Sequence, residues 1–393
     1  MAIDNGKIVI IGAGAIGSSV AYHLSRMTKS DIVLIDKQGI AAGTTAYSTA
    51  VVRTHYSNEI VAKIAFESRK FFETYPTELG FYNTGMVQIA PENLKEMMFQ
   101  NVNMLKRIGI REEIIDPEDM PRRFSFLKVR NEEIVAYEPD SGYADPVATT
   151  NYFASKAIQR GVKFMLTTVN RISGNSYGAV VTTSDGKEIS ADKVIVCTNV
   201  WTNKLLMNSL NSKSAILPIK VSPHPVIIYK RVGSSRGKLP VIADLYNKDY
   251  YKPEAESLLL GGSIRAEMDE VDVDPDSIPP QASLEYVSEY SERLVSRIPA
   301  MKDAGYHSTY SAFYDNSLDG QPIIDSLESV GLENVYCGVG LSGHGFKLSP
   351  VLGELISKLV LSVEDSNLKY FRLSRFKKEG TVFRKYLGIG TIG

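Results

Sequence analysis

Apolar positions along the chain fall into two patterns. Residues 7–11 (KIVII) and 193–197 (KVIVC) are short, continuous, β-branched runs, as in strands buried on both faces of a parallel sheet. Residues 31–35 and 335–338 read as two more strands. Helical periodicity marks residues 18–27, 58–75, 92–108, 149–160, 283–297 and 349–361. Residues 81–90 and 162–166 read as strands, 167–172 and 178–183 open a meander ending near Ile189, and 221–229 and 257–262 read as antiparallel strands. Parallel-sheet signals therefore lie at both chain ends, with antiparallel signals between them.

The first strand runs straight into Gly12-Ala-Gly14-Ala15-Ile16-Gly17, then a helix, a second strand and Asp36, 24 residues after Gly12. Each part has a physical job. Gly12 permits a tight turn, Gly14 lets backbone approach a pyrophosphate, and Gly17 lets the helix pack close to the strand. The helix N-terminus offers N–H groups to phosphate, and Asp36 can accept from both ribose hydroxyls of FAD or NAD. The fold class is α/β: a Rossmann-like cofactor-binding domain interleaved with an α+β substrate domain built on an antiparallel sheet. The expected boundaries are 1–84, 145–215 and 320–393 for the cofactor domain, and 85–144 and 216–319 for the substrate domain.

Composition narrows the function. The 393 residues carry 44 Lys+Arg against 45 Asp+Glu, a balance that argues against general nucleic-acid binding. Two cysteines, Cys197 and Cys337, each ending or following an apolar run, exclude a disulfide framework and make a reduced, cytoplasmic setting the default. Five histidines without metal-ligand spacing give a metal site no support. No stretch is long and apolar enough for a membrane span, and the N-terminus does not read as a signal peptide.

The second strong signal is C-terminal. Residues 338–345 hold four glycines, Gly338, Gly340, Gly343 and Gly345. A helix is expected to follow near Ser349, with Pro350 in its first turn, where proline is tolerated best. Such a turn entering a helix suits polarised oxygen. That favours a flavin ring over the nicotinamide of an NAD-linked dehydrogenase, the alternative among enzymes.

With GAGAIG and Asp36, VIVCTNVWT, GQPIID at 320–325 and GLSGHGFKLSP at 340–350, the chain resembles the D-amino-acid oxidase/sarcosine oxidase superfamily over nearly its whole length. The resemblance implies FAD and oxidation of a C–N bond in a small amino acid or N-methyl amino acid, by hydride transfer to the flavin. It implies cofactor contacts from Gly12, Gly14, Ala15, Ile16, Gly17, Asp36 and Lys37, and from Gly43, Thr44, Thr45, Ser48 and Arg53 of the small-residue loop. Val169, Thr198 and Trp201 join from the middle of the chain, and Gly340, Leu341, Ser342, Gly343, His344, Gly345, Phe346 and Lys347 from the C-terminal turn. Lys347 matches the lysine that grips the substrate carboxylate, and Arg53 an arginine beside the flavin. Tyr56 replaces a second arginine. Tyr250 falls at an aromatic position over the substrate, with Tyr251 as the alternative, and His344 completes the candidate catalytic set.

Three departures carry further expectations. Ala312 stands where a cysteine attaches the flavin in monomeric sarcosine oxidases, so FAD is expected to be noncovalent. Leu259 corresponds to the lysine that promotes oxygen reactivity, which favours a dehydrogenase with another acceptor. Asn199 replaces a glycine and tolerates positive φ. The other class of reading is an FAD-binding beta-like subunit of a heteromeric amino-acid dehydrogenase, active only with a partner chain.

Overall fold

The structure is a computed structural model that describes residues 6–116, 118–233 and 238–377. The ends of the expected cofactor domain, residues 1–5 and 378–393, lie outside the described residues. So do residues 117 and 234–237 within the expected substrate domain.

The apolar runs assemble as their pattern requires. A six-stranded sheet has the order Ile323–Ser326, Val335–Val339, Lys193–Val196, Lys7–Ile11, Asp31–Asp36, Lys163–Leu166. All pairings are parallel except the edge strand Ile323–Ser326. Val9, Ile10, Leu34, Ile35 and Ile195 are fully buried, because helices cover one face and the Val169–Asn175, Gly178–Thr183, Glu188–Ala191 meander lies toward the other. Five parallel strands deliver their carboxyl ends to one edge, and the chain continues there as the turns at Gly12, Asp36, Thr167, Cys197 and Gly340. Ligands of open α/β sheets bind at that edge.

The first helix, Ala15–Met27, packs beside the C-terminal helix, Gly345–Val360. The Ser19 hydroxyl donates to the Ser349 carbonyl at 2.7 Å. The C-terminal helix begins at Gly345, four residues before the expected start, so Pro350 sits at its sixth position rather than in its first turn. Of the four glycines of the turn only Gly345 is helical, whereas Gly340 and Gly343 have φ 67 and 76 and Gly338 lies in the strand before them. The first helix likewise begins at Ala15 rather than Ser18, which places Gly17 inside it.

The second sheet has eight strands, in the order Gly305–Ser317, Ile219–Lys230, Leu258–Ser263, Asp249–Glu254, Val241–Asp244, Met86–Ala90, Ile134–Glu138, Glu113–Ile115. It is antiparallel apart from the Val241–Asp244/Met86–Ala90 pair. The expected strand over 81–90 is broken at Thr84-Gly85 into Tyr82–Asn83 and Met86–Ala90. Gly85 has φ 74, and Tyr82–Asn83 pairs with Gly142–Tyr143 instead.

Strand alternation divides this sheet by face. Ile227, Tyr229, Tyr251 and Leu259 pack under the helix Leu284–Arg297, against Val287, Tyr290 and Leu294. Their neighbours on the opposite face, His224, Val226, Tyr250 and Ala312, turn to a cavity.

Candidate active site

One cavity of about 390 Å³ runs from the first turn of the six-stranded sheet to the face of the eight-stranded one that bears His224, Val226, Tyr250 and Ala312. At one end lie Gly12, Gly14, Ala15, Ile16, Asp36 and Lys37. Gly12 has φ 103, and a Cβ there would strike the Cys197 carbonyl. A Cβ on Gly17 would overlap the Gly12 carbonyl oxygen. Gly17 therefore sets turn-to-helix packing and is not itself a lining residue.

Asp36 is already held by three backbone donors: Ala13 at 2.8 Å, Gln38 at 2.8 Å and Gly39 at 3.1 Å. A carboxylate accepts about four hydrogen bonds. One acceptor site is left for a ribose, not the two that simultaneous contacts to both hydroxyls would use.

The small-residue loop folds across this end. Gly43, Thr44, Thr45 and Ser48 all line the cavity. Thr45 Oγ1 accepts from the Ala15 N–H at 3.2 Å, and Thr44 Oγ1 donates to Asn199 Oδ1 at 3.1 Å. Asn199 has φ 49, the left-handed conformation that its side chain tolerates. Val169, Thr198 and Trp201 complete the wall. Trp201 also carries Lys37 over its ring at 3.8 Å and donates to Asp276 at 2.7 Å.

Two helix N-termini open onto the cavity without side-chain caps or acidic residues in their first turns: Ala15–Met27 and Gly345–Val360. Asn58, Asp145 and Ser283 cap three other helices, while Lys95–Ile108, Met120–Arg123 and Thr202–Leu210 also lack a side-chain cap. Uncapped N–H groups and two positive dipole ends fit a ligand with a pyrophosphate at one end and an electron-accepting polar ring at the other. This donor set fits FAD.

The C-terminal turn divides its own N–H groups. Gly340 donates to the Asp315 carboxylate at 2.7 Å, Leu341 to the same group, Ser342 to the Asp315 carbonyl at 3.1 Å, and His344 to the Leu341 carbonyl at 3.0 Å. The turn therefore does not offer all its N–H groups from 341 to 345 to a cofactor. Gly343 and the first helical turn, Gly345, Phe346 and Lys347, line the cavity instead, together with Leu341. Asp315 is a site residue that sequence reasoning missed. It lines the cavity, and burial pushes its carboxyl up to about 7 against the pull of the N–H groups of Leu341 and Gly340.

Lys347 is 8% exposed, lines the cavity, and has no hydrogen-bonding or ion-pairing partner among the described residues. Burial, then the nearby Arg53 cation, holds its pKa well below the usual lysine value. Arg53, Tyr56 and His344 form a layer behind it rather than lining the cavity. The Arg53 guanidinium lies 4.2 Å over the Tyr56 ring and donates to the His55 carbonyl. Burial, then Lys347, lowers His344 to about 3, so the ring is neutral. Its Nε2 lies 2.8 Å from the Gly320 carbonyl, which can only accept, so Nε2 carries the proton and Nδ1 accepts. The Tyr56 hydroxyl, pushed up to about 12 by burial, is the donor to that Nδ1 at 3.3 Å. Gly340 and Ser342 also stay behind the wall and shape the turn.

Tyr250 lines the cavity, whereas Tyr251 is buried on the other face, edge-on to Tyr290 at 5.7 Å. Strand alternation thus decides between them. It also corrects Leu259, which faces the helix-covered core, so it occupies no position from which to act on a cofactor. The argument from Leu259 against reaction with oxygen falls with it. Ala312 does line the cavity, next to His224 and Tyr314. No periodicity or motif singled out that pair.

The chain belongs to the DAO family of FAD-dependent oxidoreductases, whose model matches residues 7–359. Among curated proteins it is 23% identical over 377 residues to a mitochondrial dimethylglycine dehydrogenase of Rattus norvegicus. That match covers 92% of this chain but 43% of the relative, so the chain spans less than half the length of that protein. It is 23% identical to a probable sarcosine oxidase of Arabidopsis thaliana, over 95% of this chain and 94% of that one. Among solved structures, L-proline dehydrogenase from P. horikoshii superposes with a TM-score of 0.83 at 24% identity, covering 95% of this chain and 98% of that one. Glycine oxidase from Bacillus cereus gives 0.74 at 21%, covering 93% and 98%.

Proposed function

We propose that this protein oxidises the C–N bond of a small amino acid or N-methyl amino acid, with noncovalently bound FAD as its cofactor. The observation that carries the reading is Lys347. It is a buried cation without a partner, at the opening of a helix and in the same cavity as the uncapped turn that fits a dinucleotide. A buried charge without a partner is expensive, and the carboxylate of an amino acid supplies the missing one. The names of the relatives, dimethylglycine dehydrogenase, sarcosine oxidase, proline dehydrogenase and glycine oxidase, share that carboxylate and an adjacent amine.

When bound, FAD supplies the two-electron acceptor. The chain's own residues do the rest. Lys347 holds the carboxylate, and the Arg53–Tyr56–His344 layer keeps that lysine's pocket dry. Tyr250 and Tyr314 wall the substrate side, their hydroxyls kept protonated by burial. The N–H groups of Gly343 and the helix opening provide positive potential where negative charge develops on the cofactor.

The division into two discontinuous domains is part of this proposal. It is supported by the origin of the strands: the six-stranded sheet draws on residues 7–36, 163–196 and 323–339, and the eight-stranded sheet on 86–138 and 219–317. Ala312, which cannot form a thioether, supports noncovalent attachment. The partner-dependent reading drew on Leu259 and on the small size of the chain, and it is not carried further.

The test is an anaerobic screen of the purified yellow protein against glycine, sarcosine, dimethylglycine, L-proline and D-amino acids, followed by readmission of air. Bleaching by members of this set, and reversal by air or an added acceptor, is the expected result. A colourless protein that takes up no FAD would overturn it.

A further inference from the structure

The end of the cavity that holds Asp36 reaches the surface. Lys37, Lys204 and Asp276 line the cavity, yet 33%, 45% and 48% of their side chains are exposed, which marks them as its mouth. Lys37 follows the strand Asp31–Asp36, and Lys204 lies in the helix Thr202–Leu210. Asp276 belongs to neither. It comes from the connection between the strand Leu258–Ser263 and the helix Leu284–Arg297. The eight-stranded sheet thus sends a segment across the mouth of the cofactor end.

That segment is pinned at two feet. At the first, Asp272 Oδ1 accepts from the Val221 N–H at 2.9 Å, and the Val273 N–H donates to the Val221 carbonyl at 2.9 Å. At the second, Ser311 Oγ donates to the Pro280 carbonyl at 2.5 Å and Thr309 Oγ1 to Gln281 Oε1 at 3.1 Å. Between the feet the chain turns on itself: the Asp276 N–H donates to Asp274 Oδ1 and the Ser277 N–H to the Asp274 carbonyl, each at 3.0 Å. Ile278, on the crest, is 89% exposed, so it does not anchor the middle by burial. Among the described residues, the polar contacts from this middle to the cofactor end come from two carboxylates. Asp276 accepts from Trp201 Nε1 at 2.7 Å and pairs with Lys204 and, at 3.7 Å, with Lys37. Asp274 pairs with Lys204 at 3.0 Å. Lys37 lies 3.8 Å over the Trp201 ring, so both lysines are held at the rim by the same two side chains.

We propose that residues 272–281 form a strap over the adenosine half of FAD and that Asp276 is its latch. The inference rests on the noncovalent FAD of the proposed function and names the group that sets how fast the cofactor exchanges. Asp36 at the end of its strand places the adenosine ribose at this end. A ligand passing that way moves between Lys37, Lys204 and the strap, so the three contacts of the Asp276 carboxylate break first. The feet stay pinned to the strands Ile219–Lys230 and Gly305–Ser317, so opening disturbs neither sheet. A latch of this kind slows entry and departure alike, whereas a residue that only touches the bound ligand slows departure alone.

The test is FAD exchange by the loaded protein. Release is followed by flavin fluorescence after dilution, and association by the same signal when FAD is added back. Asp276→Asn should raise both rates about tenfold, the low end for hydrogen bonds to a charged group, because its partners are partly exposed and screened. The dissociation constant should then stay within about threefold of wild type. Trp201→Phe keeps a ring beneath Lys37 but removes the N–H donor, and should raise both rates about threefold. Raising NaCl from about 0.02 to 0.5 M should speed release from wild type more than from Asp276→Asn, which has already lost the ion pairs that salt screens. Lys220→Gln removes an ion pair of similar exposure from the same connection, to Glu270 and away from the latch, and should leave both rates within about twofold. Unchanged rates in Asp276→Asn overturn the proposal. Faster release with unchanged association also overturns it, because that marks a simple contact to the ligand. An equal effect of Lys220→Gln overturns it as well, because that marks general loosening. Flavin that stays with wild type through acid precipitation is covalently attached, and overturns both noncovalent binding and the latch that rests on it.

Discussion

Replacing Lys347 by methionine separates what the lysine costs the empty protein from what it contributes to binding. The side chain is buried at the third position of the helix Gly345–Val360, next to Arg53 and without a partner among the described residues. Burial, Arg53 and the helix opening all disfavour its charge. Methionine keeps similar length without the charge. Exchanging buried ionic groups for apolar ones of similar volume is commonly neutral or stabilising by about 1–4 kcal/mol. Urea unfolding at saturating FAD should therefore show Lys347→Met gaining about 1 kcal/mol at neutral pH. The gain has a definite pH dependence. A lysine whose folded pKa lies below its unfolded value of about 10.4 penalises the fold fully at low pH. The penalty is lifted as pH rises through that interval, so the gap between variant and wild type should close toward pH 10. Binding moves the other way. A hydrogen bond to a charged group contributes about 1.5–3 kcal/mol, so acetate should bind about 10- to 150-fold more weakly. Spectral titration with acetate measures this. A variant that is less stable than wild type yet binds acetate equally well would refute the reasoning.

Gly12→Ala adds a Cβ at φ 103 against the Cys197 carbonyl and should leave the purified protein largely free of FAD, read from its visible absorbance. Asp315→Ala orphans the Gly340 and Leu341 N–H groups in a buried turn. At about 1–3 kcal/mol for each orphaned donor, FAD affinity should drop at least tenfold in a fluorescence titration. His23 donates to the Pro350 carbonyl at 2.9 Å, and burial lowers it to about 4. Below pH 6.5 the unfolded chain takes up a proton that the folded chain refuses, so His23 costs stability as pH falls from 6.5 toward 4. His23→Gln should therefore improve relative to wild type by about 2 kcal/mol between pH 7.5 and pH 5, measured by urea unfolding at both values.

The cofactor end of the cavity was legible in the sequence because its parts are contiguous. The turn at Gly12, the helix after it and Asp36 follow one another within one βαβ unit, and each leaves a local signal. The C-terminal turn was legible in composition but not in outline. The glycines read as a loop before Ser349, with Pro350 in the first turn of the helix, whereas the helix starts at Gly345, and that shift puts Lys347 in the first turn. The substrate end was far less legible. His224 meets Ala312 and Tyr314 across a strand pair, and Asp269 reaches it from a short 3₁₀ turn. No spacing encodes a register between residues ninety positions apart. The strand Gly305–Ser317 is rich in Tyr and Ser and carries no alternating apolar pattern, because its outer half is exposed and its inner half lines a polar cavity. The same register explains the misplacement of Leu259: a shift of one residue moves a side chain to the opposite face.

The most direct test of the account compares amines that differ only in the carboxylate. Anaerobic bleaching of the FAD-loaded protein should be measured with L-proline against pyrrolidine, and with sarcosine against dimethylamine. The account predicts bleaching by at least one of the two amino acids and none by its carboxylate-free partner at equal concentration. Equal bleaching by both members of a pair, or by neither amino acid, would contradict it.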